Sequence, residues 1–148
     1  MAVITVDATI LGIHREKVFE WLSDPGNHRN LFEGAFDTVN DTGGGNFTLQ
    51  LTVPPKNRTI GCEWLGPDEN HGGRRVEFRT TGKRTSGVLR YSLRTAKPKT
   101  GTLITLHMDY SPGGALGGLI NSAGGLQEKL RHALGVMLDN LVRDMPSQ

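Results

Sequence analysis

From Ile4 to Ile10 apolar and polar residues alternate, with Ile4, Val6, Ala8 and Ile10 on one side and Thr5, Asp7 and Thr9 on the other. A period of two predicts a strand with one buried face. Between Arg15 and Leu22 the period lengthens. Val18, Trp21 and Leu22 recur at three- and four-residue steps, which predicts a helix. Ser23-Asp24-Pro25 stops it. Asp24 can cap a second short helix with Pro25 in its first turn and Asn27 to Phe32 as its body.

Period two then returns in a series of segments. Phe47, Leu49, Leu51 and Val53 alternate with Thr48, Gln50 and Thr52, and Pro54-Pro55 ends the run. Ile60, Cys62 and Trp64 define the next segment, then Val76 and Phe78, then Leu89, Tyr91 and Leu93. A last segment carries Ile104, Leu106, Met108 and Tyr110. Short turns between such strands predict an antiparallel meander with one packed and one wet face. Gly43-Gly44-Gly45 lacks the Gly-Lys-Ser/Thr and the strand–loop–helix context of a phosphate loop, so a hairpin turn is expected there.

After Ser111-Pro112-Gly113-Gly114, a glycine-rich stretch to Gly125 carries Leu116, Leu119 and Ile120. It reads either as a connector or as an entrance flap over a cavity. Leu126, Leu130, Ala133, Leu134, Met137, Leu141 and Met145 then form one stripe of a long helix that ends at Pro146, with Asn140 among the residues placed away from the stripe. The order is strand, two short helices, about six or seven strands, then one long helix. A curved sheet gripping an amphipathic helix buries all these faces together.

The chain has 148 residues, 36% of them hydrophobic, which suits one globular domain spanning 1–148. Its single cysteine, Cys62, excludes an internal disulfide and a C-x-x-C motif. No basic stretch followed by an apolar run opens the chain and no segment reaches membrane-spanning length, so a cytoplasmic location is expected. The net charge of +2 hides an asymmetry: from Arg74 to Lys99 nine basic residues face one acid, Glu77. Arg75, Arg79, Arg90 and Arg94 alternate outward and would form a positive stripe. That stripe serves solubility, or docks an acidic partner or an anionic membrane surface. No exposed aromatics interleave it, so nucleic acid is not expected.

Two segments resemble a known family. Val6-Asp7-Ala8-Thr9-Ile10, followed by Glu16-Lys17-Val18-Phe19-Glu20-Trp21-Leu22-Ser23-Asp24-Pro25, is similar to the opening of the START/polyketide cyclase–dehydrase superfamily, the SRPBCC or Bet v 1-like proteins. Tyr110-Ser111-Pro112-Gly113-Gly114-Ala115-Leu116-Gly117 is similar to the lead-in of its C-terminal helix. His14 departs from the pattern, where relatives often carry Pro. The resemblance implies an α+β helix-grip fold around an apolar cavity. It implies no single activity, because relatives include polyketide cyclases, hormone carriers and lipid-transfer domains.

The face expected to line that cavity carries Phe47, Leu51, Cys62, Trp64, Phe78, Tyr91, Met108 and Tyr110 from the sheet and Leu130, Leu134 and Met137 from the helix. As read, it holds no carboxylate, histidine or lysine, so no catalytic residue is assigned. Such a lining favours a hydrophobic small molecule, namely a polyketide, an isoprenoid or a lipid. Tyr91 and Tyr110 are either packing residues or proton donors, and Cys62 either a buried hydrophobe or a nucleophile. The five histidines show no metal-ligand spacing, and neither metal nor cofactor is expected. A carrier and a cyclase or dehydratase acting mainly by substrate positioning both fit.

Overall fold

The computed structural model describes residues 2–54, 56–70, 74–96, 101–112 and 124–145. Strand β1 (Ala2–Ile10) leads into helix α1 (Arg15–Leu22), a 3₁₀ turn (Pro25–Asn27) and a single helical turn α2 (Arg29–Phe32). Six strands follow: β2 (Thr38–Gly43), β3 (Asn46–Val53), β4 (Lys56–Asp68), β5 (Arg74–Thr81), β6 (Gly87–Ala96) and β7 (Gly101–Tyr110). Helix α3 (Gly124–Asp144) closes the chain's fold. All seven strands form one antiparallel sheet in the order β1-β7-β6-β5-β4-β3-β2. Helix α3 packs on β1 near one edge and on β3 near the other, and α1 covers β5, β6 and β7. A sheet that reaches the same helix from both edges must curl around it, which is the expected helix grip.

The alternation follows the sequence closely. In β3, β5, β6 and β7 the apolar positions are buried and their neighbours are not. On the outer face polar residues pair across strands in register: Arg79 with Glu63 at 2.7 Å, Arg90 with Glu77 at 2.9 Å, and Thr105 with Asp7 at 2.6 Å. Two arginines of the expected positive stripe are therefore matched by glutamates.

Two features left no signal in the sequence, and one expectation needs correction. Strand β2 carries no alternating apolar signal because nearly all its residues face water. It is an edge strand whose only strand partner is β3. A bulge at Leu65 shifts the β4–β5 register between Trp64 and Gly66 and leaves Leu65 half exposed. Glu63 lies before the bulge and stays outside. Finally, Asn140 is buried, not set away from the apolar stripe of α3.

Asn140 is inside because it holds the short helices to the long one. Its Nδ2 donates to the carbonyls of Leu31 and Glu33 at 3.0 and 2.9 Å, at the end of α2. A four-residue helix leaves its last carbonyls without internal partners, and this amide satisfies two of them. Asn140→Ala should cost about 2 kcal/mol, since it strands buried acceptors, and should lower the urea midpoint without changing the slope.

The Gly43–Gly45 segment forms the expected hairpin turn. Gly43, Gly44 and Gly45 all adopt positive φ, at 96°, 66° and 85°, in the β2–β3 hairpin. No helix among the described residues is long and apolar enough to cross a membrane. The expected flap with Leu116, Leu119 and Ile120 lies outside the described residues.

Candidate functional site

The concave face of the sheet and the inner face of α3 meet in one continuous core. The eleven residues expected to line a cavity all point into it. Phe78, Tyr91, Leu130, Leu134 and Met137 are fully buried, and Phe47, Leu51, Cys62, Met108 and Tyr110 nearly so. Trp64 alone among them keeps partial solvent contact. Among the described residues these side chains pack on one another.

At its centre stands a residue the sequence reading had left out of the interior. His28 is 0% exposed. Its ring centroid lies 5.2 Å from those of Trp64 and Phe78 and 5.5 Å from that of Tyr91. Phe78 is the hub of the shell, also meeting Phe32 at 5.5 Å and Phe47 at 6.4 Å. Tyr110, Met108 and Leu51 belong to the same core but make no ring contact with this cluster among the described residues.

Local structure explains how the imidazole arrives there. Ser23 and Asp24 end α1, and Asp24 Oδ1 accepts from the Gly26 backbone at 2.9 Å, tightening the 3₁₀ turn. The chain reverses and carries His28 back under the last turn of α1. Its Nε2 sits 2.6 Å from the Leu22 carbonyl oxygen. A carbonyl can only accept, so Nε2 bears the proton and Nδ1 is left with a lone pair. That Nδ1 is buried and has no hydrogen-bond partner among the described residues. Burial drives the histidine pKa down to about 4, outweighing the raising effects of the Leu22 carbonyl and Asp24, so the ring is neutral at pH 7.

Tyr91 completes the arrangement. Its hydroxyl is buried and also lacks a partner among the described residues. Burial pushes the phenol well above its ordinary range, with the neighbouring Cys62 adding to the shift, so the hydroxyl stays protonated and able to donate. The same burial pushes the Cys62 thiol up to about 12, which removes the thiolate that nucleophilic chemistry requires. Cys62 is therefore a small buried side chain. The Thr80 hydroxyl, in register with Cys62 on the next strand, is buried and unpartnered too. Buried polar atoms normally find partners, so this concentration of orphans in one apolar core is unusual. It joins a neutral acceptor and a neutral donor inside an aromatic shell.

Trp64 is where that shell meets solvent. Its backbone N–H donates to Asn46 Oδ1 at 2.8 Å, and the hairpin glycine Gly45 leaves no room for a side chain between it and Pro25. A Cβ at Gly45 would come within 2.8 Å of Pro25 and 3.0 Å of Trp64. On the outer face, His107 and Asp109 form a half-buried pair at 3.0 Å, and Asp109 also accepts from the Val88 backbone. Among the described residues no group of three or more His, Cys, Asp or Glu gathers as metal ligands.

Comparison with known proteins gives a consistent picture. Residues 1–146 match the family model described as polyketide cyclase / dehydrase and lipid transport. No curated protein matches the sequence. Among solved structures, the ZhuI aromatase/cyclase of Streptomyces sp. R1128 is 13% identical with a TM-score of 0.62, over 97% of this chain and 93% of that one. A norcoclaurine synthase point mutant of Thalictrum flavum, solved with a transition-state analogue, is 16% identical with a TM-score of 0.62, over 96% and 92%. The solution structure of the KanY protein is 17% identical with a TM-score of 0.66, over 97% of each chain. These likenesses establish the fold, and the match over nearly its whole length makes the chain a member of the polyketide cyclase/dehydrase and lipid-transport family.

Proposed function

We propose that the protein binds a hydrophobic small molecule of polyketide, isoprenoid or lipid-like type between its sheet and α3, and that His28 and Tyr91 recognise one polar group on it. The observation that carries this reading is the pair of buried, unpartnered atoms, His28 Nδ1 and Tyr91 Oη, in an aromatic shell. An acceptor beside a donor suits a ligand that offers both, such as a phenol or an enolised ketone. Apolar surface supplies the affinity, and the polar pair supplies orientation. Phe47, Cys62, Trp64, Phe78, Met108, Tyr110, Leu51 and the α3 residues Leu130, Leu134 and Met137 are the proposed wall.

A titration of tryptophan fluorescence with 2-naphthol and with naphthalene tests the reading. Wild-type protein should bind 2-naphthol more tightly. His28→Leu and Tyr91→Phe should each erode that preference roughly 3- to 10-fold, the worth of one hydrogen bond, while naphthalene affinity holds or rises. A preference untouched by both variants would sink the polar-pair assignment.

The same pair also favours a second reading, a cyclase or dehydratase that folds a reactive chain and lets His28 accept and Tyr91 donate a proton. Denaturing extraction of protein purified without added ligand separates the two. An unaltered hydrophobic molecule at stoichiometric amount supports a carrier. Conversion of a supplied poly-β-ketone, abolished in His28→Leu, supports the enzyme. Docking through the basic face is the weakest of the three, since Glu63 and Glu77 already engage Arg79 and Arg90.

A further inference from the structure

Away from the aromatic core, a cavity of about 300 Å³ opens between the β3–β4 hairpin and the loop after β5, lined by Lys56, Asn57, Arg58, Thr59 and Lys83. Among the described residues three cations line it and no acid does. Elsewhere on the sheet Arg74, Arg79 and Arg90 are each matched by a glutamate. Among the described residues none of these three cations has such a match. Arg58 is the central one. Among the described residues its Nε is buried without a hydrogen-bond partner, although a guanidinium N–H is a strong donor. Asn57 Oδ1 already accepts from the Thr52 hydroxyl at 2.9 Å, which leaves its NH₂ group to donate.

The loop that brings Lys83 here is held in an uncommon form. Arg84 has φ of 72°, and it is the only non-glycine described with a positive φ. Its Nε donates to the Ser111 carbonyl at 2.9 Å and its Nη2 to that of Pro112. The strained residue thus ties its loop to the end of β7 and fixes where Lys83 stands.

We propose that this cavity binds an oxyanion, a phosphate or carboxylate, through Arg58 with Lys56, Lys83, Asn57 and Thr59 around it. The position links it to the interior. Arg58 shares the alternation of Ile60 and Cys62 and stands in register with buried Leu51. Lys56 pairs with Val53, whose Cγ1 would lie 3.6 Å from a Cβ on Gly125, so α3 begins at the same end of the sheet. The anion is therefore the head group of an amphiphile whose tail enters the core. This last step rests on the function proposed above; the oxyanion site itself does not.

Calorimetric titration with inorganic phosphate, dodecyl phosphate below its micelle concentration, and dodecanol tests both parts. Wild-type protein should bind inorganic phosphate weakly and dodecyl phosphate at least tenfold more tightly. Arg58→Gln and Lys83→Gln should each weaken both about tenfold, with dodecanol unaffected and the circular dichroism unchanged. Arg94→Gln, a cation elsewhere on the sheet, should have no effect. Equal weakening by Arg94→Gln would reduce the result to net charge and overturn the site. Equal affinity for phosphate and dodecyl phosphate would support the oxyanion site and overturn the head-group assignment. Binding of dodecanol with none of phosphate would overturn the oxyanion site and leave the hydrophobic reading standing. Binding of phosphate alone would do the reverse.

Discussion

Lowering the pH from 7 to 4.5 should remove about 2.5 kcal/mol of stability through His28 alone. The folded pKa is depressed from 6.5 to about 4, so the unfolded chain takes up a proton that the native core refuses. Below pH 6.5 the unfolded state binds more protons than the folded one, and stability falls as pH falls. The loss levels off only below the folded value of about 4. Above pH 6.5 the contribution is complete and flat. Urea melts of wild type and His28→Leu at pH 7 and pH 4.5 isolate the effect. The variant leaves the Leu22 carbonyl unpaired at both pH values, so only its pH dependence is informative. That dependence should be smaller than the wild type's by about 2.5 kcal/mol. An equal loss in the two proteins would mean that the imidazole titrates as if exposed, and the buried neutral ring would be wrong.

Phe78→Ala should be the most damaging single truncation in the molecule, costing about 3–5 kcal/mol. Phe78 is fully buried on the central strands and its ring meets those of His28, Phe32, Phe47 and Trp64. These neighbours come from β3, β4 and the α2 region, so no single element can move in to fill the gap. Added benzene should raise the melting temperature of this variant more than that of wild type, because an apolar void of this kind stays dry and accepts a ring. Phe78→Leu should cost far less. A loss under about 1 kcal/mol for Phe78→Ala would show that the shell collapses freely, and that the aromatic cluster is not a rigid wall.

The sheet was legible wherever one face is buried and the other wet. Strands β1, β3, β5, β6 and β7 alternate because the pleat sends successive side chains to core and solvent. β2 escaped because all its residues but Val39 are exposed, so no apolar period exists to be read. The bulge at Leu65 was equally silent, since an extra residue changes which side a chain faces without changing composition. In α3, Asn140 read as solvent-facing because the pattern ranks residues by polarity. It cannot show that α2 brings two carbonyls to meet the amide.

The candidate site was legible in its apolar part and not in its polar part. Phe47, Trp64, Phe78 and Tyr91 were named from alternation, and they do gather around one centre. His28 was missed because it stands in the polar run Gly26-Asn27-His28-Arg29-Asn30, where no period exposes it. One signal was present: His28 precedes Leu31 and Phe32 by three and four residues, the spacing that shares a helical face. Both of those residues are fully buried. Arg58 was passed over for a related reason. The inward alternation of β4 was started at Ile60, yet it extends two residues earlier to a cation.

The pairing of β1 with β7 has a consequence for how the protein is made. Ile10 bonds beside Thr102 and Ala2 beside Tyr110, so roughly 100 residues separate the partners along the chain. At a ribosome adding about 5–20 residues per second, β1 emerges roughly 5–20 s before β7 exists. Throughout that interval its hydrogen-bonding edge and its apolar face, Ile4 included, have no native cover. The nascent chain therefore presents an unpaired strand for far longer than a hairpin takes to form, and until β7 arrives that edge is open to a neighbour's.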